Sequence, residues 1–428
     1  MDLFLHGGMF VRQRNAHLRI RPGERLMELN LQFGYGMMEH CRVLLKAWKG
    51  GTVVLSPRDL DDSQLRRLAA DIAKIQGGRT MLDPQFYVPH ADHERLCSHR
   101  FWPAQFQTGA FWQGPALATL LRELASLNTD LQTSAMILPG QLAAAVDDDW
   151  LATQRMVIEE SNSITLGGGR LMTIALSSAA LQSQAQVEAL IADCETWPVD
   201  VGCYLVSEHP NGKYLSDDPS WLANLLDLSA ALRITGRTVI LAYSNHQTLI
   251  AACAKVNAIA SGTWMNVRSF PPDKFRTAYD DEIKQRATWY YCAQALSEYK
   301  IPFLDIAQRQ NVLDRMAPPA GMGGGHADVL FRGAQPTSVG FSEQAAFRHY
   351  LECLRQQALA STARTFDETI SQHERMLDAA EVLLSDLTSN GVRGQLRDYS
   401  EIVDVNRAAL AVFVAARGPT LRRAWSSL

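Results

Sequence analysis

The stretch LDPQFY, residues 82–87, places an acid, an amide and two aromatic side chains directly after a short apolar run. Asp83 could stabilise a developing positive charge or activate water, and Gln85 could hydrogen-bond a planar ligand. Phe86 and Tyr87 could stack on that ligand. This combination suits cleavage of an N-glycosidic bond, because the sugar passes through an oxocarbenium-like state that a carboxylate stabilises or captures.

Polar residues also follow other apolar runs of the chain, and some of them could act on the same ligand. Ser177 is not a candidate nucleophile, because it lies in LSSAA rather than in the GxSxG elbow of α/β-hydrolases. The segment 268–276, RSFPPDKFR, mixes cations with aromatics and suits contact with a nucleic-acid strand. Besides the four residues above, the candidates are Gln32, Arg58, Glu208, Asn245, His246, Asn266, Arg268, Lys274 and Arg276.

Eight short apolar runs recur between about residues 26 and 270, with helical segments between them. Near-continuous apolar strands that alternate with helices indicate parallel strands buried on both faces. Eight such units predict an α/β fold of the (β/α)8 TIM-barrel type, with its site at the carboxyl ends of the strands. The alternative is an open doubly wound sheet, but GYGMM at 34–38 is too short for the GxGxxG fingerprint that would favour it. The runs are RLMELNLQFG, GTVVLSPRD, RTMLDPQF, SAMILPGQ, RLMTIALSS, VDVGCYLVSEHP, RTVILAYSNH and NAIASGTWMN.

The remaining segments predict a long insertion and a helical C-terminal region. Residues 84–118, rich in aromatics such as Phe106 and Phe111, form an insertion after the third strand. The glycine-rich stretch 317–328 resembles a flexible linker, because no Lys-Ser/Thr pair follows it as in a phosphate loop. We therefore divide the chain into a barrel, 1–330, and a helical domain, 331–428.

Composition predicts a cytoplasmic protein with no membrane span. The net charge is −4, and the seven cysteines form no CxC or CxxC pair, which suits a reducing compartment. No apolar run reaches the roughly 18 residues of a membrane helix, and the N-terminus lacks the pattern of a signal peptide.

A cluster of potential metal ligands lies between residues 90 and 99, but its spacing matches no established zinc motif. We therefore predict no metal and no cofactor. The cluster consists of His90, Asp92, His93, Cys97 and His99.

Several candidates also have purely structural interpretations. Asp83 could cap the turn before Pro84, and Phe86 and Tyr87 could pack in the core. Glu208 could belong to a solvated turn, and Arg58 could form an exposed ion pair with Asp59. Asn245 and His246 could bind loop backbone, and 268–276 could be an ordinary surface loop.

LDPQFY resembles the strand end Asp-Ser-Gly-Gly-Phe-Gln of the tRNA-guanine transglycosylases, with Asp83 in the acid position and Phe86 near the position of the phenylalanine that stacks the base. The resemblance to that family implies a (β/α)8 barrel enzyme that exchanges a base by means of an aspartate. Two features of the family are missing here. The CxCxxC…H zinc site is absent, and the covalent aspartate late in the barrel has no clear counterpart, although Asn266 lies in roughly that region.

The motifs NLQFGYGMM, VVLSPRDL and LDPQFY are also similar to transglycosylase-related barrels that serve bacterial phage defence as DNA glycosylases. The resemblance implies hydrolytic removal of glucosylated hydroxymethylcytosine from double-stranded phage DNA, which leaves abasic sites. A base-exchanging enzyme, a barrel enzyme acting on tRNA, small nucleosides or sugars, and a non-enzymatic relative are the alternatives. From the strand ends and the resemblance together, we predict catalysis by Asp83, Glu208 and Asn266, base or substrate binding by Gln32, Gln85, Phe86, Tyr87, Asn245 and His246, and phosphate contacts by Arg58, Arg268, Lys274 and Arg276.

Overall fold

The computed structural model describes residues 26–88, 91–103, 112, 114–164, 167–277 and 287–428. Its main sheet has nine parallel strands in the order β4-β3-β2-β1-β9-β8-β7-β6-β5. β4 also pairs with β6, so eight strands close into a barrel. The short β5 pairs with the last two residues of β6. The strands are β1 Glu28–Gln32, β2 Gly51–Leu55, β3 Gly78–Leu82, β4 Ala135–Leu138, β5 Leu142–Ala143, β6 Gly169–Leu176, β7 Val201–Ser207, β8 Val239–Leu241 and β9 Ala258–Ser261.

Helices surround the barrel and continue beyond it into the C-terminal region. An antiparallel hairpin, β10 Trp289–Cys292 and β11 Ser297–Lys300, separates the barrel from the later helices. A 3-10 segment, His246–Ala254, follows β8. The α-helices are α1 Met38–Trp48, α2 Asp62–Ala73, α3 Glu94–Cys97, α4 Gly114–Asp130, α5 Asp148–Ser161, α6 Ser178–Gln182, α7 Gln184–Glu195, α8 Pro219–Ile234, α9 Ile301–Arg309, α10 Glu343–Ala360, α11 Phe366–Ser389 and α12 Val403–Ala424.

The predicted (β/α)8 barrel is confirmed, and each of the eight apolar runs contains one barrel strand. All four residues of β9 are buried, as are the last four of β2, which is the burial expected when helices cover one face and the barrel interior the other. β1 pairs with β9 in register Leu29 to Ile259, and the pairing of β4 with β6 joins the two ends of this strand order, which rules out the open sheet.

Local sequence signals explain where the helices begin. Asp61 caps α2: its side chain accepts from the backbone N–H of Gln64, whose own side chain accepts from the Asp61 N–H. This reciprocal capping box satisfies two of the unpaired N–H groups at the helix start. The helix ends at Ala73, before Gly77 at a φ of +72°, where a residue without Cβ avoids strain.

The insertion after β3 packs against the barrel in the part that the structure describes. Helix α4 begins at Gly114, within the last residues of the predicted insertion, and its apolar side chains face the core; the bounds of the insertion, at about 84–118, remain a prediction. Phe106 and Phe111 lie outside the described residues, and so do Pro89 and His90.

The C-terminal helices pack directly on the barrel. α12 lies against α8, where Arg417 donates two hydrogen bonds to Asp227, and α10 lies against β1. The glycine-rich stretch also differs from a flexible linker, because it packs on α10: a Cβ added to Gly323 would lie 2.5 Å from Nδ1 of His349. The domain boundary at residue 330 remains a prediction. Among the described residues, no helix combines the length and apolarity needed to span a membrane.

Candidate active site at the carboxyl end of the barrel

Asp83 follows the last residue of β3 and is completely buried. Its Oδ1 accepts hydrogen bonds from the Tyr87 hydroxyl at 2.7 Å and from the backbone N–H of Gln85 at 3.0 Å. Its Oδ2 accepts from the Tyr243 hydroxyl at 2.9 Å and from Nε2 of Gln32 at 3.4 Å. The carboxylate is therefore held by uncharged donors from β1, β3 and the end of β8.

Tyr204 completes this group, which we call the Asp83 network: Gln32, Asp83, Gln85, Tyr87, Tyr204 and Tyr243. The Tyr204 hydroxyl donates to Oε1 of Gln32 at 2.8 Å and lies 3.5 Å from Oδ2 of Asp83. The sequence predicted Gln32, Gln85 and Tyr87 as residues of the site, but it did not predict Tyr204 and Tyr243. The available signal was a tyrosine inside the otherwise apolar strand VGCYLVS, since a buried hydroxyl needs a polar partner.

Burial raises the pKa of Asp83, while hydrogen bonds from Tyr87 and Tyr243 and the charge of Lys274 act in the opposite direction. Burial, and then the nearby Asp83 charge, raise the pKa values of Tyr87 and Tyr243 well above their usual range. The tyrosines therefore remain protonated hydrogen-bond donors at neutral pH. Catalytic acids and bases are often carboxyl groups whose charged form is disfavoured by burial.

Two residues of the network have unusual backbone conformations. Gln85 has a φ of +58° and Tyr243 a φ of +50°, values that cost energy in residues with a Cβ. The Gln85 side chain helps to fix its conformation, because Oε1 accepts from the backbone N–H of Arg58 at 2.9 Å and Nε2 donates to Ser56 at 2.9 Å. Strain of this kind, held in place by surrounding contacts, concentrates at functional sites.

The segment after β9 covers the Asp83 network. Phe270 packs edge-on against Tyr87 at a ring-centroid distance of 4.9 Å, and Phe275 lies 5.3 Å from the same ring. Nζ of Lys274 lies 4.6 Å from the centre of the Tyr243 ring and donates to the backbone carbonyl of Asn266 at 3.0 Å. In this arrangement the carboxylate has no direct path to solvent.

The other predicted base-binding residues lie outside the network. Phe86 stacks on Trp102 in the insertion, with ring centroids 4.3 Å apart. Asn245 caps the 3-10 segment after β8 by accepting from the N–H of Gln247, and its amide donates to the carbonyl of Tyr214. His246 is buried in a separate group of rings described below.

Glu208 and Asn266, the other two predicted catalytic residues, are both partly exposed. Glu208 follows β7, and its Oε2 accepts from the backbone N–H of Ser178 at 3.2 Å. Asn266 lies in a short turn after β9 and contributes its backbone carbonyl to Lys274. Neither side chain hydrogen-bonds Asp83 among the described residues, so their catalytic roles remain predictions.

Of the four residues that were predicted to contact phosphates, three are buried and bind protein groups. Arg58 donates to the backbone carbonyl of Lys274 and forms an ion pair with Asp59. The structural alternative for Arg58 was an exposed ion pair with Asp59, but this ion pair is buried. Arg268 and Lys274 are each at most 2% exposed. Only Arg276 of these four has a largely solvent-accessible side chain, at 55%.

A second buried carboxylate, Glu298 of β11, was missed by sequence reasoning. Its Oε2 accepts from Nη1 of Arg268 at 3.1 Å and of Arg397 at 2.9 Å, and its Oε1 accepts from the Tyr214 hydroxyl at 2.9 Å. Burial alone would raise the pKa of Glu298, but Arg397 and Arg268 lower it to about 2. The guanidinium of Arg268 also lies 3.4 Å from the centre of the Tyr350 ring. We call these residues the Glu298 cluster.

His246 borders the Glu298 cluster without hydrogen bonds to either ring nitrogen. Its ring packs among four tyrosines, of which Tyr291 is nearest at 5.1 Å. Burial lowers its pKa to about 4, so the ring is neutral at pH 7. This environment suits a packed neutral imidazole and gives no contact with the Asp83 network.

In the part of the chain that the structure describes, no three His, Cys, Asp or Glu side chains are arranged to hold a metal ion. His99 of the sequence cluster instead contacts the backbone carbonyls of Pro57 and Leu60, at 2.9 and 3.0 Å. His90 lies outside the described residues.

A depression of about 310 Å³ lies at the opposite end of the barrel, lined by residues that include Asn128, Gln132 and Met136. These residues surround the amino end of β4. Because TIM-barrel enzymes act at the carboxyl ends of their strands, the Asp83 network rather than this depression is the candidate site.

Comparison with known proteins gives no family for this chain. No protein-family model matches it, and no curated protein has a significantly similar sequence.

Proposed function

We propose that this protein is a DNA glycosylase that hydrolyses the N-glycosidic bond of a modified cytosine in phage DNA, leaving abasic sites as a defence against infection. The observation that carries the proposal is the buried Asp83 carboxylate, held by tyrosine hydroxyls and amides at the carboxyl end of the barrel. Glucosylated hydroxymethylcytosine as the base comes from the sequence resemblance alone, and the cytoplasm as the place of action comes from the composition.

In the proposed reaction the bond between C1′ of the sugar and the base nitrogen breaks, and its electron pair leaves with the base. Positive charge develops on the sugar, and Asp83 stabilises it in a water-poor environment where such interactions are strong. Water then adds its oxygen to C1′, and the departing base receives a proton. The hydroxyls of Tyr87 and Tyr243 hold the carboxylate in place throughout, since neither ionises near neutral pH.

The nucleotide must reach a carboxylate that is covered in this structure. Phe270, Lys274 and Phe275 lie over Tyr87 and Tyr243, so we propose that this segment moves when DNA binds. The movement would release two buried aromatic rings that could then contact the incoming base. Extrusion of a base into a protein pocket is how enzymes generally reach target atoms inside a duplex.

Base release is the direct test. The protein is incubated with duplex DNA that carries glucosylated hydroxymethylcytosine and with plain DNA, and the released base is measured by mass spectrometry and abasic sites by alkaline cleavage. Asp83→Asn is compared with Asp130→Asn, whose carboxylate is 46% exposed and lies at the end of α4. We expect release from the modified DNA only, lost in Asp83→Asn and kept in Asp130→Asn. Absence of release from both DNAs would contradict the proposal.

A second candidate is an enzyme that hydrolyses or exchanges the base of a small nucleoside or of tRNA. The observation that favours it is the inward placement of Arg58, Arg268 and Lys274, which bind protein groups instead of facing a nucleic-acid strand. DNA binding that weakens steeply with salt would favour the first candidate, because phosphate contacts release counterions. Release or exchange of bases from nucleosides or tRNA, with none from DNA, would favour the second.

A further inference from the structure

Two large apolar side chains are exposed on the carboxyl-end rim of the barrel. Tyr35, in the connection between β1 and α1, is 68% exposed, and Met265, in the turn after β9, is 38% exposed. The other large apolar side chains with high exposure among the described residues lie before β7 or in the C-terminal region. Tyr35 and Met265 therefore differ from the other exposed apolar side chains in lying at the same end of the barrel as the Asp83 network.

Neighbouring residues hold this pair in place. Nε1 of Trp264 donates to the backbone carbonyl of Tyr35 at 3.0 Å, which links the two connections. A Cβ at Gly34 would lie 3.0 Å from Cγ1 of Val267, so the two chains pack closely there. Trp264 in turn packs edge-on against Phe347 of α10, at 4.9 Å. The exposed side chains thus stand on a supported backbone; we call Tyr35, Trp264 and Met265 the rim ridge.

The rim ridge lies close to the Asp83 network and to the segment that covers it. Tyr35 lies three residues after Gln32, whose amide binds Asp83, so the Cα atoms of Tyr35 and Gln32 are at most about 10 Å apart. Asn266, next to Met265, accepts a hydrogen bond from Lys274 in the segment that covers the network. A duplex placed over the barrel opening would meet Tyr35 and Met265 directly.

We propose that Tyr35 and Met265 insert into the base stack of duplex DNA and hold the position left by the extruded nucleotide. This inference rests on the proposed glycosylase function and adds the part that separates the bases. Extrusion loses stacking energy, and proteins that deform DNA offset this loss by placing apolar or aromatic side chains between bases. Two side chains offer too little area for a stable protein–protein interface, which requires roughly 800 Å² from each partner.

The test compares duplex DNA with single-stranded DNA of the same sequence, in which the target base is already unstacked. We expect the Tyr35→Ala/Met265→Ala double variant to release the modified base from the duplex at least about tenfold more slowly than the unmodified protein, and from the single strand at nearly the same rate. Val382→Ala, which alters a 73% exposed side chain on α11, is the matched control and should change neither rate.

A second measurement follows base extrusion without chemistry. Duplex DNA with 2-aminopurine beside the target base is titrated with Asp83→Asn, with and without the Tyr35→Ala and Met265→Ala changes. We expect a fluorescence increase on binding that the two rim changes remove. Equal loss of activity on both DNA forms, or an unchanged fluorescence increase, would contradict the insertion role while the glycosylase function stands. Lack of base release by the unmodified protein from either form would overturn both.

Discussion

Asp83 and Glu298 are both buried carboxylates near the carboxyl end of the barrel, and their surroundings differ in one respect. Asp83 is held by tyrosine hydroxyls and amides, whereas Glu298 is held by two guanidinium groups and one hydroxyl. Burial raises the pKa of Asp83, but at Glu298 the charges of Arg397 and Arg268 overcome burial and lower the pKa to about 2.

This difference is the one expected between the proposed catalytic carboxylate and a carboxylate that stabilises the fold. Neutral donors orient a carboxylate without cancelling its charge, so Asp83 can respond to positive charge on a substrate. Two arginines neutralise Glu298 and tie β11 to the segment after β9 and to Arg397 of the C-terminal region. Groups whose environments displace their pKa values in opposite directions often have different roles.

The largest expected effect is on stability. Glu298→Gln leaves Arg268 buried without its counter-ion, and breaking a buried ion pair in this way costs about 3–5 kcal/mol. We expect the free energy of unfolding, measured by urea denaturation at pH 7, to fall by that amount. Glu374→Gln, which alters an exposed glutamate of α11, is the control and should change stability by less than about 0.5 kcal/mol. A change in Glu298→Gln as small as in the control would show that the cluster contributes little.

The pH dependence of stability should follow Glu298. Its pKa is about 2 in the folded protein against 4.5 as the ordinary value, so the unfolded chain binds more protons between these limits. Stability is therefore fully present above pH 4.5 and is lost as the pH falls toward 2, by about 3 kcal/mol. Asp83, with a raised pKa, has the opposite sign and gains stability as the pH falls. Urea denaturation at several pH values should show a smaller acid loss in Glu298→Gln than in the unmodified protein.

Asp83→Asn should lower activity strongly and stability little, whereas Glu298→Gln should mainly lower stability. We expect base release to fall by at least about 10²-fold, the usual contribution of a catalytic carboxylate. Unfolding free energy at pH 7 should change by no more than about 1 kcal/mol, because the amide is similar in shape and removes a charge that burial disfavours. Activity and urea denaturation are measured on one preparation. A large loss of stability together with activity would assign Asp83 a structural role.

Tyr243→Phe should have the smallest effect and should act on the pH profile. It removes a 2.9 Å hydrogen bond that lowers the pKa of Asp83, so that pKa should rise further. We expect the acid limb of the pH–rate profile for base release to move to higher pH. Tyr299→Phe, which alters another buried tyrosine whose hydroxyl has no hydrogen-bond partner, is the control and should leave the limb in place.

Local pattern was sufficient for the barrel and for four of the six residues of the Asp83 network. The eight strands follow from apolar runs with clear ends, and Gln32, Asp83, Gln85 and Tyr87 follow from the rule that strand ends meet on one face. Tyr204 and Tyr243 were missed because a tyrosine in an apolar strand also fits a plain core position. The Glu298 cluster was beyond local reasoning, since its partners lie 30 and 99 residues away and contact one another only after folding.

The contact between α10 and β1 has a consequence for how the protein is made. β1 pairs with β9 at the seam where the barrel closes, and α10 packs across β1 from more than 300 residues later in the chain. The indole of Trp48 in α1 also donates to Glu352 in α10. During synthesis, the early β/α units must therefore wait for α10 to leave the ribosome before the seam is fully covered. Contacts between such distant segments favour slow folding, so the exposed seam is where we expect chaperones to bind the growing chain.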